Sequence, residues 1–216
     1  MVGSGPLWKI PRRAFRYNKL VNLSIGRAAG SMVVFEELEI EGLKLITPKK
    51  HGDTRGFFSE THNAETWRQA GMHYNFVQDN HSLSRDVGVL RGLHYQVEPF
   101  AQDKLIRVIS GRILDVAVDL RHSSPTFKKY IAVELSCENW CQLFIPIGFA
   151  HGFLTLEPDT EVLYKVTNFY SPAHEFGVAW DDSDLGIEWP INNFEITLSE
   201  KDKKLPNIRN VERFFS

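Results

Sequence analysis

The stretch Gly88–Gln96, GVLRGLHYQ, decides how the chain is read. It has the length and apolar content of a β-strand, yet Arg91 and His94 sit near its centre. In a buried strand both side chains need a partner or a task, because desolvating a polar group without one is costly. Period-two alternation puts Leu90, Gly92, His94 and Gln96 on one face and Arg91 and Tyr95 on the other. Arg91 and His94 therefore serve one site only if Gly92 allows a bulge or a kink. If the strand is regular there, Arg91 has no role beside His94.

Around this stretch the pattern is mostly β. Short runs rich in Val, Ile, Leu, Phe and Tyr recur between Gly, Pro, Asn and Asp turns. They are Val33–Ile46, Gly56–Thr61, Phe76–Ser82, Val87–Val97, Leu105–Ser110, Arg112–Leu120, Tyr130–Leu135, Gln142–Ile145, Ala150–Leu156 and Glu161–Phe169. Ser110–Gly111–Arg112 reads as a tight hairpin between two of them. Only NAETWRQAG and SEKDKKL look helical, with Asn63 and Ser199 as N-caps. Many short strands at this spacing predict an all-β sandwich or barrel with a few short helices. In Arg112–Leu120 alternation separates Leu114, Val116, Val118 and Leu120 from Asp115, Ala117 and Asp119. The first face is expected to pack between sheets, and the second to carry carboxylates into a cavity or water.

Composition excludes several classes. A formal charge of −2 and a pI near 6.4 give no global pull toward nucleic acid or an anionic membrane. A local basic site for a phosphorylated small molecule remains open. Cys137 and Cys141 have no second pair, which is weak for zinc and rules out a disulfide scaffold. A reducing cytoplasm is the expected setting. No apolar run approaches the roughly 20 residues of a membrane span. Residues 1–31 differ from the rest, with six Lys or Arg and no acidic residue before Glu36. An organelle transit segment, a basic arm and an upstream start codon compete there. The last is favoured, because Met32 opens a natural strand-led domain over 32–216.

Two spacings resemble the cupin barrel: Gly88 with His94, and Pro146, Gly148 and His151 of PIGFAH. Gln96 stands where that family has a second histidine, and no glutamate follows at the expected ligand position. Two histidines without a carboxylate make a poor iron, manganese or zinc site, so a cupin-type jelly roll without a metal is expected. The resemblance then becomes closer. DTRGFFSETHN, VQDNHSLS, GVLRGLHYQ, AQDKLIRVISGRILDVAVDLR, SPTF, QLFIPIGFAHGF, LYKVTNFYSPAHE, WDDSDLGIEWP and LSEKD follow in order. Together they resemble the dTDP-4-dehydrorhamnose 3,5-epimerase family, a set far more specific than any single motif. Asp103 is a departure, since glycine often precedes the lysine in that family.

The resemblance implies a cofactor-independent epimerase acting on dTDP-4-keto-6-deoxyglucose. Such chemistry needs a base, a stabiliser for the enolate oxygen and an acid on the opposite face. By resemblance His94 is the base, although on its own residues it reads as a core histidine bonded to a carbonyl. Asp202 orients it; Ser199 and Asp202 also fit a plain capping pattern, and Asp115 is a rival partner by parity. Lys104 stabilises the enolate with Arg91 nearby, although either alone reads as a surface cation. Tyr164 is the acid, with Lys104 and Arg91 expected to favour its phenolate. Tyr170 lies beside the sugar and influences which centre reacts. Arg55, Glu60, Gln78, Asp79, Asn80, His151, Glu175 and Lys201 match binding positions, Arg55 suiting a diphosphate through its forked donors. The family also implies a homodimer whose crossing N-terminal strands complete the nucleotide site. The alternatives are a single-centre epimerase, a non-catalytic sugar-nucleotide-binding cupin and a metal-dependent cupin oxygenase.

Overall fold

The structure, a computed structural model, describes residues 33–191, 194–211 and 214–215. The expected basic extension 1–31 lies outside the described residues. Two antiparallel sheets pack face to face, the double-sheet arrangement of a cupin-type jelly roll. The six-stranded sheet runs β1 (Val34–Glu37), β2 (Lys44–Thr47), β10 (Gln142–Ile145), β7 (Lys104–Ser110), β12 (Thr160–Val166) and β5 (Gln78–Ser84). The five-stranded sheet runs β13 (Glu175–Gly177), β6 (Leu90–Gln96), β11 (Phe149–Thr155), β8 (Arg112–Asp119) and β9 (Tyr130–Ser136). A separate exposed hairpin pairs β3 (His51–Asp53) with β4 (Gly56–Phe58). No helix among the described residues is long and apolar enough to cross a membrane.

Alternation sorts the core into three layers. Between the sheets lie Ile106, Val108, Ile113, Ala117, Leu143 and Phe153, with others of the same parity. Outside the five-stranded sheet, Leu114, Val116, Val118 and Leu120 pack against Val178, Leu185, Trp189 and Ile208. Outside the six-stranded sheet, Ile46, Leu105 and Phe144 meet Trp67 of helix α1 (Ala64–Gln69). The two faces of β8 are thus separated as expected, and Asp115 does turn inward toward His151, but the leucine and valine face does not pack between the sheets. The leucine and valine face looks outward, because the chain after β13 returns as a third layer, and Ala117 is the one between the sheets.

Asn63 caps α1 as expected, its side chain accepting from the Glu65 and Thr66 amides. Ser199 does hold the amide of Asp202 at 3.1 Å, but SEKDKKL forms only a 3-10 turn over Asp202–Lys204. Pro206 biases Leu205 to extended backbone, and the helix cannot continue. The hairpin expected at Ser110–Arg112 is a sheet crossing instead. Both edges of β7 are already taken, by β10 and β12, so β8 pairs with β9 and β11 in the other sheet. Gly111 makes the crossing with φ +75°, where an added Cβ would lie 2.3 Å from Thr160 Oγ1. The run Val33–Ile46 likewise breaks into β1 and β2 through a turn containing Gly42 at φ +96°.

Candidate active site

Side chains of both sheets border a cleft with two lobes that share His94, Lys104 and Tyr164. The larger, about 500 Å³, is bounded by Ser82, Arg91, His151, Phe153, Leu198 and Asp202 among others. The smaller, about 310 Å³, is bounded by Gln78, Asn80, Gln96, Gln102, Tyr170 and Glu175. The floor has two origins. His94 and His151 come from adjacent strands of the five-stranded sheet, and Lys104 and Tyr164 from the facing sheet.

β6 is not regular. His151 pairs with His94 and Phe153 with Arg91, so two steps on β11 match three on β6. This is a bulge, centred on Gly92 at φ +116°. An added Cβ at Gly92 would stand 2.6 Å from the Gly152 Cα, so glycine is required by both dihedral and space. The bulge resets the alternation. Leu90, Leu93 and Tyr95 join the outer core, while Arg91, His94 and Gln96 border the cleft. The regular parity expected for Leu90 and Arg91 is therefore wrong, and the kink that brings Arg91 beside His94 is present. Arg91 reaches the other sheet, donating to Ser84 Oγ at 3.3 Å and to the Leu83 carbonyl at 3.2 Å.

His94 Nε2 lies 2.7 Å from Asp202 Oδ1. Burial alone would raise the Asp202 pKa. The His94 hydrogen bond and charge, with the Gly92 amide and Ser199 hydroxyl, overcome it and hold the carboxyl below its ordinary range. Asp115 is not the partner of His94. It is fully buried and binds His151 Nε2 at 2.9 and 3.0 Å through its two oxygens. Two histidine–aspartate pairs thus stand side by side.

Lys104 begins β7, its Nζ 3.5 Å from the His94 carbonyl oxygen. Loss of water brings its pKa down to about 8, against the pull of Glu175 and Asp115. Asp103, the departure from the resembled pattern, fixes this strand start. Its carboxylate accepts from the Ile147 amide and the Thr167 hydroxyl, both at 2.9 Å. On Tyr164 burial wins: it raises the phenol pKa, with Glu175 acting in the same sense and Arg91 opposing. Arg91 acts in the expected sense, favouring the phenolate, and burial outweighs it.

At the rim, Glu175 accepts from Lys201 Nζ and, at 2.6 Å, from the Tyr170 hydroxyl. Burial pushes its pKa up, yet these bonds and the charge of His94 bring it below the ordinary value. Gln78 donates to Asn80 Oδ1 at 2.9 Å, both residues on the inward face of β5. Asp79 points outward and pairs with Lys165 at 2.8 Å, so it does not line the His94 cleft. Arg55 and Glu60 do not reach the cleft either. Arg55 lies at the exposed tip of the β3–β4 hairpin on Asp53, and Glu60 accepts weakly from Asn63. Ser82, inward on β5 beside Asn80, went unnoticed in the sequence, although the alternation that selects Gln78 and Asn80 selects it too.

Among the described residues no group of three or more His, Cys, Asp or Glu side chains is placed to hold a metal ion. His94 and His151 each engage a carboxylate through Nε2, and Gln96 binds backbone groups. That donor set suits proton transfer better than metal ligation.

A family model described as dTDP-4-dehydrorhamnose 3,5-epimerase matches residues 37–210. Over 165 residues the chain is 53% identical to the dTDP-4-dehydrorhamnose 3,5-epimerase of Shigella flexneri, covering 76% of this chain and 90% of that protein. It superposes on the Bacillus anthracis dTDP-4-dehydrorhamnose 3,5-epimerase, solved with TDP and PPi bound, with a TM-score of 0.79 and 47% identity. That match covers 82% of this chain and 100% of the other. A Legionella pneumophila dTDP-6-deoxy-D-glucose-3,5-epimerase in complex with dTDP-4-keto-L-rhamnose gives a TM-score of 0.80 at 42% identity, covering 84% and 95%. The fold, the paired carboxylate and imidazole, and these likenesses agree: the chain belongs to the dTDP-4-dehydrorhamnose 3,5-epimerase family.

Proposed function

We propose that the chain converts dTDP-4-keto-6-deoxy-D-glucose to dTDP-4-keto-L-rhamnose by inverting C3 and C5, a step of dTDP-L-rhamnose biosynthesis. The observation that carries the reading is the His94–Asp202 pair facing Lys104 and Tyr164 across one cleft. The C4 ketone acidifies the hydrogens on both neighbouring carbons. His94 takes one as a proton, and the electron pair of the broken C–H bond moves to O4 as an enolate. Asp202 stabilises the imidazolium and fixes which ring nitrogen faces the sugar. The Lys104 ammonium faces the enolate oxygen, and Arg91 adds charge at the mouth.

Tyr164 then donates its proton to the carbon from the opposite face, which inverts the centre. Its raised pKa keeps the phenol protonated until the carbanion character develops, and solvent restores both groups afterwards. Positioned proton transfer contributes about 10²–10⁴-fold, so charge stabilisation at O4 carries much of the rest. No cofactor enters this scheme. Gln78 and Asn80 are assigned to the pyrimidine, and His151, Glu175, Lys201 and Tyr170 to the sugar and diphosphate.

Arg55 and Glu60 fit the same scheme through a second subunit. The β3–β4 hairpin pairs only with itself among the described residues and exposes Phe57 and Phe58 at 54% and 67%. A homodimer in which this hairpin crosses to the neighbour would cover both rings and bring Arg55 to the partner's diphosphate. A cytoplasmic setting suits two free cysteines and a nucleotide-sugar substrate.

Incubation with dTDP-4-keto-6-deoxyglucose in heavy water tests the reading. Deuterium is expected at C3 and C5; its absence from both would sink the epimerase claim, and label at one centre would identify a single-centre enzyme.

A further inference from the structure

After β12 the chain crosses the lip of the cleft as Phe169–Tyr170–Ser171 before the 3-10 turn Pro172–His174. This strap carries two exposed aromatic rings, Phe169 and Tyr170. Side chains hold its backbone, in place of a strand ladder. Gln96 Nε2 donates to the Phe169 carbonyl at 3.1 Å, and Gln96 Oε1 accepts from the Ser171 amide at 2.7 Å. The same Nε2 donates to the Phe100 carbonyl at 2.6 Å, and the Tyr170 amide binds Gln78 Oε1 at 3.1 Å. Gln96 is 4% exposed, so its amide has no water to exchange with.

Gln96 also lies two residues beyond His94 on the inward face of β6, opposite Glu175 in register. One strand therefore sets both the base and the strap. A sugar with acidic carbons on either side of its ketone presents one of them to a single imidazole at a time. Which one stands there depends on the groups touching the ring, and Tyr170 bonded to Glu175 forms that wall of the smaller lobe.

We propose that Gln96 is a positioning residue: through the Phe169–Ser171 strap it holds Tyr170 and Glu175 against the sugar and so divides proton exchange between C3 and C5. This rests on the epimerase reading above. Where a cupin metal site has a ligand, this chain has a residue that sets which carbon reacts.

The test measures initial rates of deuterium entry at C3 and at C5, with KM and kcat, for the full chain and for Gln96→Leu, Tyr170→Ala and the double variant. Gln96→Leu is expected to change the C3:C5 ratio at least about threefold and to raise KM. The same change made in the Tyr170→Ala background is expected to leave the ratio nearly unmoved, the non-additivity of residues acting through one another. An unchanged ratio with both rates falling together would overturn the proposal, as would an equal ratio change with and without Tyr170. If Gln96→Leu does not fold, Gln96→Glu runs the same cycle, since it keeps an acceptor for Ser171 but loses both donated bonds. Failure of both variants to fold would overturn it too, because Gln96 would then serve the fold alone. Absence of exchange in the unmodified chain would remove the epimerase reading itself, a result separate from any of these.

Discussion

The two histidine–aspartate pairs of the cleft look alike and differ in every property that matters for proton transfer. His151 and Asp115 both belong to the five-stranded sheet, and their side chains are 10% and 0% exposed. His94 is 26% exposed, and its partner Asp202 comes from a turn 108 residues further along the chain. A pair made within one sheet, with its carboxylate fully buried and its imidazole nearly so, serves as a wall of the cleft. A pair with one open imidazole, held by a carboxylate from outside the sheet, can take a proton and release it.

Breaking the two pairs should therefore give different kinds of damage. His94→Asn is expected to lower kcat by about 10³–10⁴-fold while dTDP binding stays within about threefold, as read by steady-state kinetics and calorimetry. His151→Leu is expected to act first on the fold, costing about 3–5 kcal/mol in denaturant unfolding because Asp115 is left buried without its partner. Equal stability of the two variants would erase the distinction. Asp202→Asn should lose about 10²–10⁴-fold in kcat with little change in KM, since the amide neither fixes the imidazole nor steadies its charge.

Lys104 sharpens the contrast from the facing sheet. Its pKa of about 8, down from an ordinary 10.5, gives opposite trends for activity and stability. Between about pH 8 and 10.5 the unfolded chain holds a proton that the native chain has lost, so the Lys104 contribution to stability rises with pH there. Activity that needs the ammonium falls through the same lower limit, which a kcat/KM profile would record as a limb near pH 8. Lys104→Met is expected to cost about 10²–10³-fold in kcat and to stabilise the fold by on the order of 1–3 kcal/mol. A destabilised variant would mean that the ammonium is needed for packing. Gly92→Ala tests the bulge that brings Arg91 to His94. The added methyl meets Gly152 at a positive φ, and a loss of about 1–3 kcal/mol in thermal unfolding is expected, with KM raised.

What the sequence disclosed follows from where alternation is regular. Gln78, Asn80, Lys104 and Tyr164 are singled out by resemblance, and where alternation is unbroken, as along β5, it agrees, with Gln78 and Asn80 on one inward face. On β6 it is reset at Gly92, and no count of residues reveals on which side of a bulge Arg91 falls. The turn at Gly111 was legible as a turn but not as a sheet crossing, because a local signal carries nothing about which strand edges are free. Asp202 could be singled out by resemblance only; its geometry depends on a return of the chain over more than a hundred residues. The outer packing of Leu114 and Val116 was hidden for the same reason.

The account turns on proton removal and return occurring on opposite faces by different residues. Tyr164→Phe tests this most directly, with deuterium entry and inverted product followed together in heavy water. His94 exchanges its proton with solvent and can return deuterium to the face it came from. The expected result is continued deuterium entry at the substrate carbons without inversion. Inverted product at the unmodified rate, or loss of exchange as complete as in His94→Asn, would contradict it.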